Sequence, residues 1–152
     1  MIGESPEARL ARYLHEKIPL SAAMALEVRA ASPEQVRLFA PLAPNVNDLR
    51  TVFGGSAAAL ATLAAWTLLH LRLERAAVPA RLVIQRSRIE YERPIPGDFE
   101  AVCRFSDEAA WSRFRMTLAR RGRARLALTA HVLHEQRRVA EFEGDFVALG
   151  HE

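Results

Sequence analysis

The sequence predicts an α+β fold, with one long helix inside a curved, mostly antiparallel sheet. Three observations support this. From Ala57 to Leu69 nearly every polar side chain is missing, and a helix that is apolar all round belongs in a core. Most other apolar residues recur at every second position, the period of a half-buried strand. The remaining helix-period segments are short and one-sided.

Ser5-Pro6-Glu7 opens a first helix over about 6–18, because proline suits a first turn and Leu10, Tyr13, Leu14 and Ile18 follow at helical spacing. Pro19 is expected to end it. Met24, Leu26 and Val28 alternate with Ala25, Glu27 and Arg29, and Val36, Leu38 and Ala40 alternate with Arg37 and Phe39. Two strands joined at Ser32-Pro33 are therefore expected as a hairpin. The apolar helix follows over about 55–74, with Ser56 as a candidate N-cap, and at about 1.5 Å per residue it is long enough to cross the domain. "RLVIQRSRIEYERPI" (81–95) is rich in β-branched residues and reads as a long strand. Pro94 to Gly97 is a turn, and Phe99, Ala101, Cys103 and Phe105 mark the inward face of the next strand. Ser106 is a candidate cap for a helix with Asp107 and Glu108 in its first turn. Ala110, Trp111, Phe114 and Leu118 fit that helix, closed by Arg120, Arg121 and Gly122, although Phe114, Met116 and Leu118 also fit a strand. "ARLALTAHVLH" and "RVAEFEGDFVAL" are two further strands with a turn near Gln136.

The 152 residues suit a single domain spanning 1–152. The one cysteine, Cys103, rules out an intrachain disulfide and suggests a reducing, cytoplasmic setting. Cys103 alternates with core phenylalanines and reads as a buried apolar residue. The first residues lack the apolar stretch of a secretory leader, and Ala57–Leu69 is shorter than the about 20 residues that span a bilayer. No membrane association is expected. Net charge is +3, and Lys17 is the only lysine. The sequence has neither zinc-ligand spacing nor a basic stripe interleaved with aromatics, so no metal and no nucleic-acid partner are expected.

The chemistry concentrates ahead of the apolar helix, in "NVNDLRTVFGGS" (45–56). The first N–H groups of a helix lack internal acceptors and sit at the positive end of its dipole. Gly54 and Gly55 let another molecule approach the backbone. The amides of Gly55, Ser56 and Ala57 are thus candidate donors to a carbonyl oxygen on which negative charge develops. Asn45, Asn47, Asp48 and Thr51 offer side chains to orient water or a substrate amide. Asp48, the only carboxylate there, is the candidate general base. The competing reading makes Gly54-Gly55 a tight turn and the Asn and Asp residues turn formers.

Residues 45–66, "NVNDLRTVFGGSAAALATLAAW", resemble the signature of hotdog-fold thioesterases, and most closely the group named for the C-terminal domain of YiiD. "YERPIPGDFEA" (91–101) and "RRGRARLALTAHV" (120–132) resemble later strands of that group, so the similarity runs from Leu14 to Leu149. The resemblance implies a hotdog domain that dimerises edge to edge, and possibly stacks into tetramers. It also implies acyl-CoA or acyl-carrier thioesters as substrates, coenzyme A only as part of the substrate, and no separate cofactor. Gly55 and Ser56 would hold the carbonyl. In another hotdog group an aspartate sits two turns into the helix; here that position is Thr62, which can hold a water but is no ordinary base. The base is then Asp48, assisted by Asn47 or Thr62, or comes from elsewhere, or is absent. A non-catalytic acyl-ligand binder is the alternative, and a hotdog dehydratase a third reading that lacks its expected histidine–acid pair.

Other residues are weighed as follows. Tyr91, Arg93 and Asp98 flank the Pro94–Gly97 turn and are candidates for the site mouth, although an ordinary strand end is the plainer reading. Phe53, Leu60, Leu63 and Trp66 could wall an acyl tunnel. Arg86 with Arg88, or Arg120, Arg121, Arg123 and Arg125, could meet phosphates, although a solvated surface is the plainer reading. His70, near the helix C-terminus, suits the dipole as a cation. His131 and His134 fall on opposite strand faces, which argues against a shared metal.

Overall fold

The computed structural model describes residues 3–150. Its elements run α1 (Pro6–Lys17), α2 (Pro19–Ala23), β1 (Glu27–Ala31), β2 (Gln35–Ala40), α3 (Gly54–Arg75), β3 (Ala80–Tyr91), β4 (Phe99–Arg104), α4 (Glu108–Arg121), β5 (Arg123–His134) and β6 (Arg137–Gly150). A short 3₁₀ turn, Ala43–Asn45, follows β2. The six strands form one sheet in the order β1-β2-β4-β5-β6-β3, and every neighbouring pair is antiparallel.

The register explains which side chains meet α3. Val36, Leu38 and Ala40 lie opposite Cys103, Ala101 and Phe99. Ala124, Leu126, Leu128, Ala130 and Val132 lie opposite Ala148, Phe146, Gly144, Phe142 and Ala140. All of these except Gly144 are buried core residues, and Leu60, Ala61, Ala64, Ala65, Leu68 and Leu69 of α3 pack into the same core. This is the hotdog arrangement, a curved antiparallel sheet around a central helix. The 22-residue α3 has a mean hydropathy of 1.3 over its most apolar window; it is a buried core helix, not a surface one.

Several local expectations are corrected. Pro19 closes α1 but also opens α2, because its fixed φ suits a first helical position as well as a stop. The strand expected from Met24 begins at Glu27 instead. Met24 and Leu26 are buried because the chain turns inward there, with Ala25 at φ 57. Phe53, not Ser56, occupies the N-cap of α3, with no side-chain hydrogen bond. The cap of α4 is Asp107, not Ser106; its carboxylate accepts from the Ala110 amide at 3.0 Å. Phe114 and Leu118 are buried helix residues, and Gly122 at φ 72 closes α4. Cys103 is buried in the sheet, and that burial pushes its thiol up to about 12, so it stays protonated and inert.

The far half of α3 is packed through aromatic stacking. His70 stacks between Trp66 (centroids 5.0 Å) and Tyr13 (5.5 Å). Burial lowers its pKa below the ordinary 6.5, outweighing the opposing pull of Glu74, so the expectation of a cationic His70 is corrected. The folded state takes up a proton on this ring less readily than the unfolded chain. Stability is therefore fully present above 6.5 and is lost as pH falls below it. We expect chemical denaturation to show this loss in the wild type, and a smaller loss in His70→Phe; equal pH slopes would refute the assignment.

Candidate active site

The segment from Asn45 to Gly55 is fastened to the body at each end. Val46 and Val52 form an isolated antiparallel bridge. The Val52 amide donates to the Ile95 carbonyl at 2.8 Å, and the Phe53 amide donates to the Asn45 carbonyl at 2.8 Å. Asn45 is 2% exposed, and its Nδ2 donates to the carbonyls of Met24 (3.0 Å) and Pro41 (2.8 Å). Its side chain therefore anchors the loop to α2 and to the end of β2.

Asn47 organises the turn itself. Its Oδ1 accepts from the amides of Leu49 (2.9 Å) and Thr51 (3.0 Å), and its Nδ2 donates to Thr51 Oγ1 (2.9 Å) and the Val52 carbonyl (3.4 Å). The backbone pairs in the same place, Asn47 N–H to the Thr51 carbonyl at 2.8 Å. Asparagine favours such turns because its amide reproduces backbone hydrogen bonding. Arg50, at φ 64, completes the reversal. Asn47 and Thr51 thus spend their polar groups on each other. Asp48 sits exposed at the apex, with no hydrogen-bond or ion-pair partner among the described residues.

The helix amides divide into two sets. Those of Ser56 and Ala57 both donate to the Phe53 carbonyl, at 2.9 and 3.2 Å. Those of Gly54 and Gly55 have no acceptor among the described residues. The free donors therefore lie one position earlier than the sequence suggested: Gly55 keeps the assigned property, Gly54 gains it, and the Ser56 and Ala57 amides are already engaged. A side chain at either glycine would crowd a neighbouring ring. A Cβ on Gly54 would lie 3.3 Å from the Tyr91 ring, and one on Gly55 would overlap the Phe53 ring.

Tyr91, the last residue of β3, donates its hydroxyl to the Gly54 carbonyl at 2.9 Å. Burial raises its pKa above the ordinary 10.0, so the phenol keeps its proton. Arg93 is exposed just beyond β3, its main-chain N–H bonded to the Val139 carbonyl at 3.2 Å. Thr62 is two turns into α3, and its hydroxyl donates to the Ala58 carbonyl at 2.8 Å. Leu60 and Leu63 are buried core, whereas Phe53 is 57% exposed.

The surface around the glycine pair is apolar in a way the sequence reading missed. Leu49 is 77% exposed at the loop tip, and Val46, Phe53 and Tyr91 are exposed with it. β3 ends the sheet, and Val83 and Ile84 on it are exposed. A cavity of about 510 Å³, lined by Arg29, Phe39, Asp98, Glu100, His134 and Gln136 among others, takes in Asp98 but none of the residues from Asn45 to Ser56, nor Tyr91 or Arg93. His131 pairs instead with Glu141 (3.0 Å), and His134 Nδ1 donates to the Asp98 carbonyl (2.8 Å).

The comparisons agree with this fold. Solved structures superpose over nearly the whole chain. A Chlorobaculum tepidum protein has a TM-score of 0.87 at 28% identity, covering 94% of this chain and 93% of that one. A Shewanella oneidensis protein described as a "putative thioesterase" has a TM-score of 0.82 at 26% identity, covering 94% and 96%. A Pseudomonas aeruginosa protein described as a "probable thioesterase" has 0.81 at 27%, covering 94% and 95%. The family model described as "Putative thioesterase (yiiD_Cterm)" matches residues 7–150, a span that takes in the glycine pair, the Asn47 turn and Tyr91 together, and the chain belongs to that YiiD C-terminal thioesterase family.

Proposed function

We propose that the chain hydrolyses acyl thioesters carried by coenzyme A or an acyl-carrier protein. The observation behind this reading is the pair of unsatisfied amides at Gly54 and Gly55, held by a rigid loop at the positive end of a core helix. The thioester oxygen docks on those amides, and the charge that grows on it as water adds to the carbonyl carbon falls on donors already in place. Asp48 takes the proton from that water, the carbon–sulfur bond breaks, and the thiolate leaves and is protonated. Asn47 and Thr51 fix the loop that presents Asp48. Asn45 anchors its base, Tyr91 positions Gly54, and Phe53 and Arg93 border the acyl and carrier portions. Thr62 holds a water only if its hydroxyl leaves the Ala58 carbonyl.

A homodimer is part of this reading. β3 offers twelve residues of unpaired edge with exposed Val83 and Ile84, the kind of edge a second strand covers. No carboxylate occurs on α3 before Glu74, which favours the second reading, an acyl-ligand binder without turnover. Incubation with a panel of acyl-CoA esters and a thiol reagent separates the two. We expect thiol release that falls about 10²-fold or more in Asp48→Asn. Thermal stabilisation by the esters without any thiol release would establish the binder instead.

A further inference from the structure

We propose that the groove between α4 and β5 receives an extended acidic segment of a partner protein. The proposal is independent of the thioester reading, because its residues lie outside the glycine-pair site. Two contiguous cavities, of about 210 and 340 Å³, share Thr117, Ala124 and Arg125. Arg113 and Arg121 line them from α4, and Arg123 and Arg125 from β5. Thr117 and Gln85 add polar atoms, and Phe114, Leu126 and Val147 supply apolar surface. Neither cavity has an Asp or Glu in its lining.

The concentration of charge follows from the fold. Gly122, at φ 72, turns the end of α4 directly into β5, which brings Arg121 beside Arg123. Strand alternation then puts Arg123 and Arg125 on one face. Positions 113, 117 and 121 lie along one helix stripe at four-residue spacing. Outside the groove, Arg12, Arg29, Arg37, Arg72, Arg75, Arg86 and Arg138 each have a carboxylate within ion-pair distance, and the other nine arginines, like the groove four, have none among the described residues but line neither cavity. The four groove arginines have none among the described residues; the only side-chain partner is Gln85, whose Oε1 accepts from Arg125 at 3.4 Å. Four guanidiniums are thus gathered without counter-charge in a chain whose net charge is only +3.

The shape selects the partner. From Arg113 to Arg121 the helix rises about 12 Å, further than one phosphate or diphosphate bridges. The aromatics of α4, Trp111 and Phe114, are buried, so bases have no stacking platform. Met116 is the one large apolar side chain exposed on α4, too little for a lipid surface. A run of carboxylates on an extended chain matches both the length and the two-pronged donors.

The test is fluorescence anisotropy with fluorescein-labelled hexaglutamate and the full chain. We expect salt-sensitive binding that weakens about tenfold or more in Arg121→Ser/Arg125→Ser. Arg88→Ser, which removes an arginine outside the groove, should leave it within about twofold. Arg113→Ser/Arg123→Ser provides a second groove variant should the first fail to fold, as judged by circular dichroism. Equal weakening by Arg88→Ser, or none from the groove variants, overturns the proposal. So does displacement of the peptide by equimolar pyrophosphate. Tighter binding of a single-stranded oligonucleotide or phosphatidylglycerol vesicles through the same arginines overturns it as well.

Discussion

Gly54→Pro is expected to lower kcat/KM for acyl-thioester hydrolysis by about 10² to 10³, the usual effect of losing one oxyanion donor. The substitution is nearly a deletion of a single N–H. Gly54 is the first helical residue of α3, where proline is well tolerated. Phe53 before it is already extended, at φ −60 and ψ 131, the conformation a residue preceding proline prefers. The added Cβ crowds Tyr91 at 3.3 Å, but Gly54→Ala adds the same atom and keeps the amide hydrogen. The ratio of the two variants therefore isolates the amide. We expect alanine to stay within about tenfold of wild type; proline activity equal to alanine activity would remove the Gly54 amide from the mechanism.

Arg72→Ala is expected to cost about 3 kcal/mol of stability, read as a fall in Tm of about 6–12 °C for a chain of this size. Arg72 is 2% exposed, inside the last turns of α3. Its guanidinium donates to the Pro33 carbonyl (2.8 Å) and to Glu108 (2.9 Å), and lies 4.8 and 4.7 Å from the ring centres of Phe105 and Trp111. One side chain thus joins the central helix, the β1–β2 turn and α4. The Glu108 pair contributes least, because that carboxylate side chain is 69% exposed and water screens it. Glu108→Gln should therefore cost under about 1 kcal/mol. The alanine variant instead leaves the half-buried Pro33 carbonyl without its donor and two aromatic faces without packing. Arg72→Met refills most of that volume and should recover part of the loss. A melt in which alanine and glutamine behave alike would show that the ion pair, not burial, is what matters.

The architecture was readable from period alone, since Val36, Leu38 and Ala40 and the row from Ala124 to Val132 alternate cleanly into the core. Local rules failed where one residue type serves two purposes. Pro19 both stops and starts a helix, and Met24 and Leu26 imitate a strand because a turn buries them. In the candidate site the hydrogen-bonded loop ahead of the helix was legible, but not which of its polar groups are already engaged. Asparagine at 45 and 47 signals a demand for hydrogen bonds without saying whether a ligand or the chain itself answers it; here the chain answers it for Asn47 and for Asn45 Nδ2, while the buried Asn45 Oδ1 has no partner among the described residues. The shift of the free amides from Ser56 to Gly54 depended on the Phe53 carbonyl, which serves both Ser56 and Ala57. The Tyr91–Gly54 contact joins residues 37 apart, a separation no local pattern encodes.

That contact has a thermodynamic corollary. Tyr91 terminates the unpaired border strand, and the same phenol grips the carbonyl of the peptide group that joins Gly54 to Gly55. A second chain laid along that border would steady the tyrosine, and through it the Gly54-Gly55 turn. By linkage, an acyl ligand seated on the turn would tighten the association of the two copies by the same factor. Assembly and occupancy are then two readings of one equilibrium, joined through a single hydroxyl.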